Sequence, residues 1–333
     1  MDLITQGIIG AGVAVAVAKP GQIKSAALIG ALAGLAPDLD ILIRSPENPL
    51  LALQYHRHFT HALAFIPIGG SIIAGAYYYL SRIVSKTYTL SFKAIWCYSI
   101  VGIATHGLLD ACTSYGTRLL WPFLQDRLAW NIISIIDPIF TGLLIIGLVL
   151  SLRAYKCLYM RAALLLALLY LGVGYRQHNR VEAFMQTLAA ERGHEIKTHM
   201  IDTSLGNIIL WRSVYQANTM VYVDAVRMPL YGPPTYYSGD SVPAVTVDDI
   251  ARELNLSDDA YKAVQDFDFF ANSFLYYTPD NPTLIGDLRY ASLPHKARPL
   301  WGLDLSDTLK FTRIISKDGL PFGTLWAMIR GRE

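Results

Sequence analysis

Six apolar runs crowd the first half of this 333-residue chain, at 4–18, 25–36, 60–80, 92–109, 132–152 and 162–174. A membrane span needs about 20 apolar residues, and the later runs are long enough. The first two are short. They read as a hairpin of short or tilted helices, with Gly7, Gly10, Gly30 and Gly34 allowing close packing. A buried helical pair in a soluble core is the alternative for that hairpin alone. Only 16% of residues are charged, against about 25% in soluble domains. The deficit falls on 1–175, while 176–333 has an ordinary soluble composition. The expected fold is therefore an α-helical membrane domain over 1–175, of five or six hydrophobic helices with two of them short. A small α+β extramembrane domain follows over 176–333.

Other bulk properties exclude more than they assign. The net charge of +2 gives no reason to propose nucleic acid. Cys97, Cys112 and Cys157 lie in or beside apolar runs with no Cys-x-x-Cys pair, so they read as small buried hydrophobes. No positive residue precedes the first run, the first being Lys19, which reads as a retained membrane segment rather than a cleavable leader. Alternate connections are basic: Lys19 and Lys24, then Arg82, Lys86 and Lys93, then Arg153, Lys156 and Arg161. The charge rule places these in the cytoplasm. The connections 37–59 and 110–131, and everything after Gly174, then share the outer face, although Arg44, Arg57, Arg118 and Arg127 also sit there. If all six runs cross, the two polar connections lie on one side whichever way the protein points.

Beyond Gly174, residues 175–192 continue as an amphipathic helix with Val181, Phe184, Met185 and Leu188 on its apolar face. Strands are expected at 196–201, 207–216 and 219–228, and further on at 284–291, 301–305 and 311–315. Residues 229–243 read as a loop, Val247–Leu254 as a short helix, and Ser257 as the cap of a helix running to about Tyr276.

Ionisable groups beside apolar spans are costly and tend to be functional. Asp38 and Asp40 follow Pro37; two carboxylates aimed together repel unless a cation or proton lies between them, although one of them serving as a helix cap is the plainer reading. His56, His58 and His61 come next, with Arg57 offering a planar fork for phosphate. A basic patch on anionic lipid is the competing account of that cluster. His106 and Asp110 are one helical turn apart, and Asp110 could instead merely orient its neighbour. Asp137 before Pro138 fits a ligand and a helix N-terminus equally. Oxygen and nitrogen ligands without sulfur suit zinc, manganese or iron. More than four candidates suggest two ions and phosphoester hydrolysis by an activated water, with Arg57 or Arg118 holding phosphate.

Ala36-Pro37-Asp38-Leu39-Asp40, His56-Arg57-x-x-Thr60-His61 and His106-x-x-x-Asp110 occur in that order. Asp2-x-x-Thr5-x-Gly7, Ser114-Tyr115-Gly116 and Trp121-Pro122-Phe123 surround them. Over about 1–150 this resembles the YdjM-type family of membrane-bound metal-dependent hydrolases, bacterial or archaeal inner-membrane proteins. In motif style it is similar to zinc-dependent phospholipase C proteins. The resemblance implies Asp38, Asp40, His56, His61, His106 and Asp110 as metal ligands, with Arg57 and Thr60 supporting them and Asp40 also acting chemically. Where this chain has Gln6 many relatives have histidine, and where it has His58 they often have a small residue; neither is carried over as a ligand. The expected function is metal-dependent hydrolysis of a lipid-linked or membrane-adjacent substrate, most simply a phosphoester. The alternatives are a non-catalytic metal-binding transporter or sensor, and an envelope-maintenance protein.

Overall fold

In a computed structural model, residues 1–45, 48, 50–84, 90–278, 281–306, 309–314 and 321–332 are described. Lys86 and the last residue of the expected strand at 311–315 lie outside them. The chain forms two compact units: 1–43, 55–175 and 205–207 make the first, and 44–54, 176–204 and 208–333 the second.

The first unit is helical, and two of the helices described with it run into the second unit, at 51–54 and at 176–191. Asp2 caps α1 (Leu3–Ala16), its Oδ1 accepting the Thr5 N–H at 3.0 Å. α2 (Ile23–Leu35) runs directly into a 3₁₀ turn, Ala36–Leu42, with Pro37 at its start. A short α3 (Leu51–Tyr55) leads to two single 3₁₀ turns at Phe59–His61 and Leu63–Phe65, and then to α4 (Ile66–Val84). α5 (Phe92–Ala111), α6 (Pro138–Ala154) and α7 (Leu158–Glu191) complete the set. Among the described residues, four segments are long and apolar enough to cross a membrane: Ile23–Leu42, Leu63–Val84, Phe92–Ala111 and Leu158–Glu191. α1 and α6 are apolar but shorter, at 14 and 17 residues.

α1 packs on α2, and α5 lies against both, so three backbones meet near Gly30. A Cβ on Gly30 would run into the Gly10 carbonyl, and one on Gly102 would lie 2.8 Å from the Gly30 carbonyl. Small residues permit this approach where lipid supplies no hydrophobic drive. Ile133, Phe140, Leu144 and Met160 fill the core beside them. The expected helix at 132–152 starts only at Pro138. Asp137 caps it, taking Ile139 and Phe140 N–H at 3.1 and 3.0 Å on Oδ1, while Oδ2 accepts the Tyr170 hydroxyl at 2.8 Å. Both Asp137 oxygens have structural partners, which decides between the two readings of that residue in favour of the cap.

The second unit is built on two antiparallel sheets. β1 (Ile196–Thr203), β2 (Leu210–Ala217), β3 (Met220–Arg227) and β4 (Thr235–Tyr237) lie in that order, with β5 (Ser241–Pro243) also paired to β3. α8 (Val247–Leu254) and α9 (Asp258–Ala271) lead into the second sheet: β6 (Leu275–Thr278), β7 (Asn281–Asp287), β8 (Trp301–Asp304) and β9 (Lys310–Arg313), in order. α10 (Phe322–Arg330) comes last. Ser257 does cap α9, but the helix stops at Asn272, whose left-handed backbone (φ 51°) turns the chain into β6. Residues 229–243, read as loop, contain β4 and β5. Each is three residues long and owes its form to pairing with β3, which no local pattern reveals. Arg212 is buried as a staple, donating to the carbonyls of Leu288, Pro294 and Lys296 at 2.7 to 2.9 Å.

Candidate metal centre

The 3₁₀ turn after α2 fixes two carboxylates. Successive residues of a 3₁₀ helix rotate by about 120°, so Asp38 and Asp40 are offset, and they meet opposite nitrogens of His61, Asp38 at Nε2 and Asp40 at Nδ1. Asp38 Oδ1 lies 3.3 Å from His106 Nε2 and 3.5 Å from His61 Nε2. Asp40 Oδ2 accepts the Arg57 N–H at 3.0 Å and the Thr60 hydroxyl at 2.8 Å, while Oδ1 meets His56 Nδ1 at 2.9 Å. Neither aspartate caps a described helix.

His106 and Asp110 come from the last turns of α5 and are buried. The Gly34 carbonyl accepts from His106 Nδ1 at 2.6 Å. A carbonyl cannot donate, so Nδ1 carries the proton and the neutral ring presents a lone pair at Nε2. His61 follows the same logic. Its Nδ1 lies 3.2 Å from Asp40 Oδ2 and 3.0 Å from the Thr60 hydroxyl, whose own proton goes to Asp40. Nδ1 is again the donor, and Nε2 again carries the lone pair.

These two Nε2 atoms lie 2.9 Å apart. Two lone pairs at that separation repel unless a proton or a cation lies between them. Asp110 Oδ2 stands 3.4 Å from His61 Nε2 and 3.9 Å from His106 Nε2. It is buried and ion-paired with Arg57 Nε at 2.9 Å, and it accepts no well-aligned hydrogen bond among the described residues. One oxygen or nitrogen each from Asp38, His61, His106 and Asp110 falls within a 4.8 Å group. Ligands about 2.0–2.1 Å from a tetrahedral zinc are about 3.4 Å from each other, and the separations of 2.9 to 3.9 Å here bracket that value. The residues fit a divalent cation. Their field is strongly negative: burial lowers the His61 pKa, yet the adjoining Asp110, Asp38 and Asp40 carboxylates outweigh it and raise it to about 10, so positive charge is favoured at Nε2 and a bound cation would take the place of a proton there.

Asp38, Asp40 and His56 form a second group of potential ligands, again within 4.8 Å. The two groups share Asp38. The second is more open: the His56 side chain is 22% exposed, against full burial for His61 and His106.

The supporting residues are also in place. Arg57 takes a left-handed backbone (φ 63°), uncommon for a residue other than glycine, and this turns its side chain inward. Nε lies 2.9 Å from Asp110 Oδ2, Nη1 donates to Thr113 Oγ1 at 2.9 Å, and the guanidinium lies over the Tyr115 ring at 4.6 Å. Only 5% exposed, Arg57 is not part of a lipid-facing basic patch. Gln6 donates to Asp110 Oδ1 at 2.8 Å, and the Met1 amino group contacts the same oxygen. His58 lies apart. Its ring nitrogens engage the Phe59 N–H and Arg118, and its ring lies near Trp121. Arg127 donates to the carbonyls of Tyr115 and Gly116, so it holds the loop.

Two contributors were beyond sequence reasoning. The Gly34 carbonyl has no side-chain signature. Gly107 is needed because a Cβ there would strike the His61 carbonyl oxygen, and its position one residue after His106 was the only available hint. Tyr115 stood in a quoted motif without a role; it lies against Arg57 and His56.

A polytopic helical protein with a buried carboxylate–histidine cluster at the ends of its apolar segments is the class defined by this fold and site. The family model described as YdjM inner membrane protein matches residues 1–181, and the chain belongs to that family. A curated relative, "Uncharacterized protein YfhP" of Bacillus subtilis (strain 168), is 29% identical over 114 residues. That match takes in 34% of this chain and 33% of the relative. No solved structure matches the chain significantly.

Proposed function

We propose that this protein is a membrane-bound metal-dependent hydrolase acting on a lipid-linked or membrane-adjacent phosphoester. The observation that carries the reading is the convergence of two imidazole lone pairs and two carboxylate oxygens, beside a second, more open group that shares Asp38. Buried four-ligand sites are typical of structural metals, whereas catalytic sites keep a position open. The buried group suits an ion held throughout the cycle, and the three-ligand group at Asp38, Asp40 and His56 suits one that meets substrate. A bound divalent metal, zinc being the best match to this donor set, would supply Lewis-acid polarisation of a phosphoryl oxygen and an activated water.

The protein's own residues then have these roles. Asp40 orients His61 and, through Oδ1 at the open side, accepts a proton. Thr60 fixes Asp40 with its hydroxyl. Arg57 neutralises Asp110, and contact with a substrate phosphate requires its guanidinium to trade part of that pairing. A non-catalytic metal protein is the second reading, favoured by the complete four-ligand group.

Elemental analysis of the purified protein tests the site. Wild type is expected to carry one to two equivalents of transition metal, and His106→Ala and Asp38→Ala to lose most of it. Metal-free wild type, or content unmoved by both changes, overturns the proposal. A panel of lipid phosphoesters then separates the two readings: turnover lost in Asp40→Asn supports the hydrolase, and metal-loaded protein inert on the whole panel leaves the binder.

A further inference from the structure

α7 changes character at Tyr175. Before it, Leu165, Leu166, Leu168 and Leu169 are each more than half exposed, as a helix in hydrocarbon requires. After it comes Arg176-Gln177-His178-Asn179-Arg180. The bilayer interface therefore falls at this turn of the helix.

From Arg176 onward the helix belongs to the second unit and is bonded within it. Gln177, fully buried, donates to the Met228 carbonyl at 2.6 Å, and Arg180 donates to the Pro229 carbonyl at 2.8 Å. At 1.5 Å per residue these donors stand about 3 and 8 Å beyond Tyr175. The polar headgroup layer on each side is about 5–8 Å deep. The loop after β3 is thus held within that layer, and its next residues are Leu230, 42% exposed, and Tyr231, 90% exposed.

α10 brings charge to the same end of β3. Arg227 donates to the Ile329 carbonyl at 2.8 Å and the Tyr237 hydroxyl to the Met328 carbonyl at 2.9 Å, fixing the C-terminal turn of α10 there. Arg330 and Arg332 are exposed, and the Arg330 guanidinium covers the exposed Trp326 ring at 4.8 Å. Tyrosine and tryptophan with arginine are the composition of a membrane-interface belt. Depth set by α7 favours a lipid surface over a protein partner.

We infer that this face of the second unit, Leu230–Tyr231 with Trp326, Arg330 and Arg332, rests on the bilayer and binds anionic phospholipid headgroups. The inference does not depend on the metal reading.

The full-length protein tests it in bilayers of phosphatidylcholine alone or mixed equally with phosphatidylglycerol. With Cys97, Cys112 and Cys157 replaced by alanine, a spin label is placed through Tyr231→Cys, and a control through Glu195→Cys, just past the end of α7 at Glu191, which stands about 24 Å along the helix from Tyr175. The Tyr231 label is expected to favour collision with oxygen, and the Glu195 label with a water-soluble nickel chelate. Phosphatidylglycerol should deepen the first, and Arg330→Glu with Arg332→Glu should abolish that gain, each arginine shifting the docked population by about fivefold. Trypsin cleavage after Arg330 and Arg332 in otherwise wild-type proteoliposomes gives the same answer without cysteine replacement: slower with phosphatidylglycerol, restored by high salt. A Tyr231 label as open to the chelate as the control overturns the inference. So does one screened from both reagents, which indicates a protein partner, or cleavage indifferent to lipid charge.

Discussion

Each metal-site side chain is defined by what its second atom does. His61 and His106 became ligand candidates because Asp40 and the Gly34 carbonyl hold their Nδ1 protons. His58, two residues from His56, has both nitrogens committed elsewhere. Asp137 is the counter-example: its carboxylate looks like a ligand in the sequence yet spends both oxygens on α6 and Tyr170. Asp137→Ala should lower stability in detergent by about 1–2 kcal/mol, the size of a lost N-cap, and leave metal content untouched. Thermal unfolding and elemental analysis of one preparation check both parts; metal lost at full stability would return Asp137 to the ligand set.

Elements carry the site by where they end. α2 stops at a proline-led 3₁₀ turn that aims Asp38 at the two imidazoles, and α5 delivers His106 and Asp110 from its last turns. What holds these ends together is the crossing at Gly10 and Gly30, with α5 passing at Gly102. Gly30→Val should therefore separate α2 from both neighbours and abolish folding and metal binding together. Gly142→Ala, where nothing lies within 4 Å of the added carbon, should be neutral. Yield of monodisperse protein reads the contrast. A Gly30→Val protein that purifies with its metal would show the crossing to be dispensable.

For the molecule as a whole, the charge pattern predicts a direction. By that rule Lys19 and Lys24, Arg82 and Lys93, and Arg153, Lys156 and Arg161 are expected in cytoplasmic connections, with the candidate metal site expected outside. Reporter fusions after Val84 and after Ala154 should be active in a cytoplasmic format, and one after Leu124 in a periplasmic format. The reverse pattern inverts the assignment. Arg44, Arg57, Arg118 and Arg127 in the outer connections count against it, and Arg44 is exposed. In the structure Arg57 is paired to Asp110, Arg118 to His58 and Gln125, and Arg127 to loop carbonyls, so local structure accounts for those three.

The apolar runs alone specified a helical membrane region followed by a mixed unit, because hydropathy and helix caps act over neighbouring residues. They also brought Asp38, Asp40, His56, His58, His61, His106, Asp110 and Asp137 into view, since an ionisable group beside a span is conspicuous in any order of folding, and the family resemblance narrowed that set by leaving out His58. Local pattern failed where partners are distant. β4 and β5 exist only against β3, α9 ends at a left-handed asparagine, and 132–137 is unwound ahead of Pro138. The division of labour inside the site was likewise decided by tertiary structure. Asp38 and Asp40 are equivalent as letters, yet one faces the two imidazole Nε2 atoms, while the other accepts from the Arg57 N–H and the Thr60 hydroxyl and meets His56 Nδ1. That difference rests on a rotation of the backbone and on a carbonyl at Gly34 that every residue possesses, and through-space distance alone selects it.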